Sequence, residues 1–163
     1  MNEKRILDAT AGGRTIWFDK QNPEVVFCDK RNETIEGQWK SSQRTIIINP
    51  DIVCDFTSLP FEDSSFYLVV FDPPHLEHVG NTSWLYAKYG RLEENWEKMI
   101  RDGFYECMRV LKPNGTLVFK WSEVEIPTRK VINAIGQEPL FGHRSGKKMN
   151  THWMCFMKDG DFR

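Results

Sequence analysis

The sequence predicts an α/β domain with a mainly parallel sheet, a C-terminal antiparallel strand and helices on both faces. Short apolar runs bounded by turn residues alternate with stretches whose apolar residues recur at helical spacing, which is typical of layered strands and helices. Several of the apolar runs finish at an aspartate, as expected where strand ends share one edge of a parallel sheet. The 163 residues fit a single domain, residues 1–163, that can bury its own core.

The N-terminal half is predicted to contribute three buried strands, each a short apolar run ending in an acid: residues 6–8, 24–29 and 51–55. Gly12 and Gly13 form a turn after the first strand, and residues 14–22 have the spacing of a helix that stops before Pro23. Residues 30–49 contain a β-branched run that favours a hairpin where a helix would be usual.

The C-terminal half continues the alternation of strand and helix. Residues 66–71 are a fourth strand, residues 92–111 are a helix, and residues 112–115, KPNG, close that helix as a turn. The remaining predicted elements are a strand at 116–121, a short helix at 127–135 and a last strand at 151–158, which pairs with a strand near 140–143.

Composition sets limits on the partners of the chain. The 22 Lys and Arg residues nearly balance 23 Asp and Glu residues, so contact with nucleic acid requires a local basic patch. No stretch has the apolar length of a membrane span, and the N-terminus lacks the apolar core of a secretion signal. The four cysteines follow no metal-binding or disulfide spacing. We therefore expect a soluble cytoplasmic protein with reduced cysteines.

The acids at the strand ends mark the expected site: Asp8, Asp29, Asp55 and Asp72. Ligands of open α/β sheets bind outside the carboxyl ends of the strands. A glycine turn followed about twenty residues later by an acid suits a nucleoside, because glycine allows close approach and the acid accepts ribose hydroxyls. The glycine pair is equally explained as a tight turn. Asp55 and Phe56 can serve an adenine, or they can cap a turn and fill the core.

The most specific segment is DPPH, Asp72–His75. Two consecutive prolines remove two N–H donors and leave stiffly held carbonyls beside a carboxylate. An exocyclic amine carries two N–H donors, so the Asp72 carboxylate and the Pro73 carbonyl can accept one each. Held in this way, the nitrogen lone pair is oriented toward an electrophile. A turn that ends a strand explains the prolines but not the acid.

Taken together, the motifs resemble those of class I S-adenosylmethionine-dependent methyltransferases. LDATAGG (residues 7–13) resembles the first cofactor-binding motif, VFCDK the segment with the ribose-binding acid, and CDFTSLPF the segment with the adenine-contacting acid. DPPH resembles the (D/N)PP(Y/F/W) motif of amino-group methyltransferases that act on nucleic-acid bases. The resemblance runs from Leu7 to about Lys158 and implies a Rossmann-like fold with S-adenosyl-L-methionine as cofactor.

The resemblance also implies a role for individual residues. The cofactor-binding residues would be Asp8, Ala9, Gly12, Asp29, Asp55 and Phe56, and the catalytic residues would be Asp72, Pro73, Pro74 and His75. His75 stands where the family usually has an aromatic that stacks on the flipped base, and imidazole stacks less well. No target-recognition domain is inserted in the sequence.

The implied reaction is methylation of an exocyclic amine of a nucleic-acid base, with adenine in DNA as the first expectation. RNA, a protein glutamine or a small amine are alternative substrates, and a cofactor-binding module without catalysis is the alternative of a different class. Candidate substrate contacts are Trp84, Tyr86, Lys88, Lys120, Arg144 and Lys147.

The loop at 79–91 interleaves aromatics with cations, which is typical both of base-stacking surfaces and of amphipathic loops packed on a domain. The basic turn at 143–148 is more often solvated than bound to phosphate. His75 and His78, with Asp72 and Glu77, have no recognised metal-site spacing, and we expect no metal. The partner is therefore expected to be nucleic acid, DNA before RNA, and no membrane.

Overall fold

The computed structural model describes residues 4–39, 42–80, 83–145 and 148–160. The strands are β1 Ile6–Asp8, β2 Val25–Asp29, β3 Glu33–Trp39, β4 Ser42–Ile48, β5 Ile52–Val53, β6 Phe66–Phe71, β7 Leu111–Ser122, β8 Phe141–Ser145 and β9 Thr151–Met157. The helices are α1 Trp84–Tyr89, α2 Trp96–Val110 and α3 Thr128–Ile135. None of the helices in these ranges has the length and apolar character needed to cross a membrane.

The central sheet has seven strands in the order β5-β2-β1-β6-β7-β9-β8. The first five are parallel to one another, and β9 lies antiparallel to both β7 and β8. This confirms the predicted mainly parallel sheet with an antiparallel C-terminal strand. From β1 the chain runs outward to β2 on one side and later returns to β6 on the other. The carboxyl ends of β1 and β6 therefore flank a switch point, where open α/β sheets bind ligands.

The main core lies between one face of the sheet and helices α2 and α3, which pack against each other. Every second residue of β7 faces this core, and Leu117, Phe119 and Trp121 are completely buried. Phe104 of α2 meets Phe156 of β9 edge to face, with the ring centroids 5.0 Å apart. Full burial of each such side chain contributes about 1.5–3 kcal/mol. This packing fixes the strands whose carboxyl ends carry the acids.

The predicted helix at 14–22 was wrong. Residues 9–24 form successive turns, and Arg14 adopts a positive φ of 54°. The apolar residues here are consecutive, so a helix would spread them around its circumference. Instead the Trp17 ring packs on Phe27, while the Phe18 side chain is fully exposed. A turn-rich segment thus covers the opposite face of the sheet, beside β1 and β2.

The predicted hairpin at 30–49 is confirmed. Strands β3 and β4 pair antiparallel from Glu33 opposite Ile48 to Trp39 opposite Ser42. The KPNG segment does not stand as a separate turn, because α2 ends at Val110 and β7 begins directly at Leu111. The helix predicted at 92–111 is observed as α2, which begins later, at Trp96, and the short helix α1 precedes it.

Candidate active site

A cavity of about 980 Å³ opens at the carboxyl ends of the parallel strands, on the side of β1, β2 and β6. Nine of the sequence-predicted site residues line it: Ala9, Gly12, Asp29, Asp55, Phe56, Asp72, Pro74, Tyr86 and Lys88. Strand β4 of the hairpin, helix α1 and the first half of helix α2 also contribute to the wall. Residues separated by more than seventy positions in the chain thus meet at one edge of the sheet.

Asp29 at the end of β2 is tied to the glycine turn. Its Oδ2 accepts a 2.8 Å hydrogen bond from the Gly12 N–H, and its Oδ1 accepts one of 2.9 Å from the Arg31 N–H. Gly12 has a φ of 50°, the left-handed conformation that glycine adopts at low cost. Oδ1 also accepts from the Arg31 Nε over 3.4 Å, but Oδ2 has a second lone pair, so Asp29 can still accept a hydrogen bond from a ligand in the cavity.

Asp8 at the end of β1 lies beneath the glycine turn rather than in the cavity wall, and only 1% of it is exposed. The Trp17 indole Nε1 donates to its Oδ2 over 2.6 Å, and the Thr10 N–H donates to its Oδ1 over 3.1 Å. Burial disfavours the charged form and raises the pKa of Asp8 to about 7, despite these hydrogen bonds and with a further contribution from the nearby Asp72 and Asp29. Asp8 therefore changes charge near neutral pH.

Asp55 and Phe56 follow β5. The Asp55 carboxylate accepts hydrogen bonds from the Thr57 N–H and hydroxyl, and it lies 3.0 Å from the Lys30 ammonium. Partial burial raises the pKa of Asp55, but these donors outweigh burial and lower the pKa overall. The Phe56 ring packs edge to face on Phe71, 5.2 Å away. One side of Phe56 is therefore fixed by the core while the residue still lines the cavity.

Gly103 of α2 is the residue that makes space for Phe56. A β-carbon added at Gly103 would lie 2.5 Å from one atom of the Phe56 ring and 2.9 Å from the Phe71 ring. No real contact is that short, so a larger residue here must displace the ring.

We expect Gly103→Ala to lower both the stability of the protein and its affinity for the cofactor that the sequence resemblance implies. Alanine usually stabilises a helix interior by about 0.5–1 kcal/mol, but overpacking a filled core costs about 1–3 kcal/mol. Urea unfolding and a binding titration with S-adenosylhomocysteine measure the two effects. Asn133→Ala on the exposed face of α3 is the matched helix control. An unchanged affinity of Gly103→Ala for S-adenosylhomocysteine would show that Phe56 does not contribute to ligand binding.

Asp72, directly after β6, is paired with Lys120 of β7. The Lys120 ammonium lies 2.6 Å from Oδ2, and the two side chains are only 16% and 14% exposed. The Asp72 N–H donates to the Thr10 hydroxyl over 2.7 Å, which ties the end of β6 to the glycine turn. Because the ion pair engages Oδ2, Oδ1 can accept a hydrogen bond from a ligand. Lys120, a predicted substrate contact, thus lies beside the acid and does not line the cavity.

His75 does not face the cavity, contrary to the expectation that it stacks on a target base. It is 7% exposed, and its ring lies 5.1 Å from Tyr89 and 6.3 Å from Trp121. Burial lowers the pKa of His75, so the ring is neutral at neutral pH. A hydrogen bond joins it to the backbone of Pro73, and since proline has no N–H, the acceptor is the carbonyl. Tyr89 takes its place in the cavity wall.

The other predicted substrate contacts are placed differently from one another. Tyr86 and Lys88 of α1 line the cavity. Trp84 packs on the hairpin, where a β-carbon added at Gly37 would lie 3.2 Å from its ring. Arg144 lies on β8, 3.9 Å from Glu123, and is not part of the cavity wall. Lys147 lies outside the described residues.

Two residues that contact the acids of the site were not predicted from the sequence. The turn residue Trp17 supplies the indole donor to Asp8, and Arg31 lies against both Asp29 and the end of α1. Arg31 follows a predicted strand-end acid by two positions, which is the only local signal for it. Its contact with α1 spans 56 residues, so spacing along the chain does not reveal it.

Among the described residues, Glu77, His78 and Glu125 bring potential metal-ligand atoms within 4.8 Å of one another. The Glu125 Oε2 already accepts hydrogen bonds from the backbone N–H groups of both Glu77 and His78. These contacts lower the pKa of Glu125 against the opposing effect of its partial burial. The carboxylate is therefore explained as a cap that holds the loop after DPPH.

No family model and no curated protein matches the chain. Among solved structures, it is similar to a protein from Pyrococcus horikoshii, with a TM-score of 0.61 and 14% identity, over 95% of this chain and 82% of that one. A SAM-dependent methyltransferase from Methanosarcina mazei gives a TM-score of 0.57 and 14% identity, over 99% and 95%. One from Leishmania major gives 0.54 and 12%, over 97% and 67%. The chain therefore has the Rossmann-like fold found in SAM-dependent methyltransferases.

Proposed function

We propose that the protein is an S-adenosylmethionine-dependent methyltransferase that acts on the exocyclic amine of a nucleic-acid base, with adenine in DNA as the first candidate. The observation that carries this proposal is the placement of Asp72 and Pro74 in the same cavity as Asp29, Asp55 and Phe56. Pro73, between them, is buried and is not part of the cavity wall. Groups suited to binding a nucleoside and an acceptor suited to binding an amine thus line the same cavity.

The residues present fit S-adenosylmethionine. Asp29 and the Gly12 turn suit a ribose, because a carboxylate beside a close-approach backbone accepts the two hydroxyls. Phe56 and Asp55 suit an adenine, offering a ring face and an acceptor for its amine. Asp72, and Asp8 once it ionises above about pH 7, supply negative charge near the place where a cationic sulfonium would lie. A cavity of about 980 Å³ is at the upper end of small-molecule sites, which span about 300–1,000 Å³, so a base fits beside the cofactor.

The cofactor, when bound, supplies the methyl group as the electrophile. Oδ1 of Asp72 accepts one N–H of the target amine. The second acceptor expected from the sequence, the Pro73 carbonyl, accepts from His75 and does not line the cavity, so Asp72 is the acceptor that orients the amine. The nitrogen lone pair is thereby held toward the methyl group, which contributes through orientation. The carboxylate also compensates the positive charge that develops on nitrogen and can receive the proton released from it.

The acids of this site have cations beside them: Lys30 at Asp55, Arg31 at Asp29 and Lys120 at Asp72. Several carboxylates in one cavity repel each other, and a neighbouring cation relieves that repulsion while the site is empty of ligand. The same cations reduce the attraction for a cationic cofactor. The balance favours ligands that donate hydrogen bonds to the acids over simple cations.

Substrate class is tested by incubating the protein with tritiated S-adenosylmethionine and unmethylated DNA, transfer RNA, ribosomal RNA, a glutamine peptide or small amines. We expect label in DNA and, after digestion to nucleosides, in N6-methyl-2′-deoxyadenosine. Label in RNA, peptide or amine would support methyltransferase activity but contradict DNA as the substrate. Cofactor binding without label in any acceptor would favour a binding module without catalysis.

A further inference from the structure

Helix α1 carries three residues of the cavity wall, Tyr86, Lys88 and Tyr89, but has little packing of its own. It spans six residues, Trp84–Tyr89, and none of them is buried. Helices this short do not persist in water by themselves, because one or two hydrogen bonds do not offset the cost of nucleation. The position of Tyr86 and Lys88 in the wall therefore depends on the contacts that hold α1 to the rest of the protein.

Arg31 provides a contact at the C-terminal end of α1. Its Nη1 donates to the Ala87 carbonyl over 2.9 Å, and its Nη2 lies 3.5 Å from the Lys88 carbonyl. The last carbonyls of a helix lack intrahelical partners and carry partial negative charge, so a guanidinium there satisfies both needs. The 27% exposed side chain is partly shielded from solvent.

The same guanidinium also contacts the acid expected to bind ribose. Its Nε lies 3.4 Å from Asp29 Oδ1, and the Arg31 N–H donates to that oxygen over 2.9 Å. One planar, rigid fork thus joins the end of β2 to the end of α1. The two ends belong to the two halves of the cavity, the half expected to hold cofactor and the half expected to hold substrate.

We propose that Arg31 is a positioning residue that couples ligand binding at Asp29 to the placement of α1, and so organises the substrate side of the cavity once cofactor is bound. The inference rests on the proposed function. When ribose hydroxyls donate to Asp29, they fix that carboxylate in one orientation. The guanidinium contacts the other oxygen of the same carboxylate, so it is fixed too, and with it the two α1 carbonyls.

Other contacts hold the two ends of α1 without Arg31. Trp84 packs on Gly37 near its start, and the Tyr89 ring lies on His75 at its end. Removing the guanidinium should therefore leave α1 formed but uncoupled from the cofactor site. Lysine keeps the charge but has a single compact ammonium, so it cannot contact Asp29 and two carbonyls together.

The experiment compares amide hydrogen exchange of wild type and Arg31→Lys, each with and without saturating S-adenosylhomocysteine. In wild type we expect the ligand to slow exchange both in the 9–13 turn and in α1, residues 84–89. In Arg31→Lys the turn should still be protected, whereas the slowing in α1 should fall about tenfold, within the usual range of coupling between sites. Arg129→Lys, on the exposed surface of α3, is the matched control and should behave as wild type.

Two results contradict the proposal in different ways. Equal ligand-dependent protection of α1 in wild type and Arg31→Lys would overturn the coupling role of Arg31 and leave the proposed function intact. Absence of protection in the 9–13 turn of wild type would overturn the proposed function itself, and the coupling with it. A kinetic readout adds a second check, because a positioning role should raise the KM for the methyl acceptor in Arg31→Lys more than it lowers kcat.

Discussion

Asp72→Ala should lose methyl transfer by about 100- to 10,000-fold while keeping its affinity for S-adenosylhomocysteine. The substitution removes the acceptor that orients the target nitrogen and the group that takes up its proton, and a positioned acid–base group contributes about that factor. The groups expected to bind ribose and adenine, Asp29 and Phe56, are untouched. Label transfer from tritiated cofactor measures the first effect, and isothermal titration measures the second.

Asp72→Ala also leaves Lys120 without its partner, 2.6 Å away in the wild type and mostly shielded from water. Stranding a buried charge in this way costs up to about 3–5 kcal/mol, so lost activity could reflect unfolding alone. The double variant Asp72→Ala with Lys120→Met removes the stranded charge and should recover stability without activity. Asp159→Ala, at an exposed position after β9, is the control. A folded Asp72→Ala that retains activity would exclude the proposed role of this carboxylate.

The acids of the site could be predicted from sequence because strand ends are a local property. A buried parallel strand is a continuous apolar run, and the residue after it must lie at the carboxyl edge of the sheet. Asp29, Asp55 and Asp72 were found in this way, and they line one cavity. The same argument predicted Asp8 as a strand-end acid but did not predict its burial, because the turn that buries it depends on how Trp17 packs.

What the sequence did not reveal depends on contacts across the fold. His75 belongs to the DPPH segment, yet Tyr89 and Trp121 bury it, and no local pattern specifies those neighbours. Lys120 meets Asp72 because β7 lies beside β6, with Phe119 opposite Phe71. The predicted helix at 14–22 was wrong because a local pattern was outweighed by packing against the rest of the fold. Its spacing was weak, and packing against the sheet favoured turns over helical propensity.

Asp8 offers the second large effect, because its carboxyl has a pKa of about 7 in the folded protein against an ordinary value of 3.8. The folded state therefore holds this proton more tightly than the unfolded state, and stability falls as the pH rises from about 4 to 7. Above pH 7 the loss is on the order of 4 kcal/mol. Below pH 4 both states are protonated, and this group costs nothing.

Asp8→Asn should stabilise the protein at pH 8 and weaken cofactor binding. The amide stays neutral, so the pH-dependent loss disappears, while one of the hydrogen bonds from Trp17 and Thr10 is lost at about 1 kcal/mol. The net gain at pH 8 is about 2–3 kcal/mol. Urea unfolding at pH 5.5 and 8 should show a decline in wild type that is smaller in the variant. Asp19→Asn, an exposed residue of the same loop, should follow wild type.

The binding result follows from the charge that Asp8 gains as it ionises. A carboxylate buried beneath the glycine turn attracts the cationic part of S-adenosylmethionine through a poorly screened environment. Wild-type affinity should therefore rise as the pH increases from 6 to 8, and the rise should be absent in Asp8→Asn. S-adenosylhomocysteine lacks the sulfonium charge, so its affinity should depend less on pH. If Asp8→Asn bound S-adenosylmethionine as tightly as wild type at pH 8, the carboxylate would have no part in holding the cofactor, and its burial at the end of β1 would need another explanation.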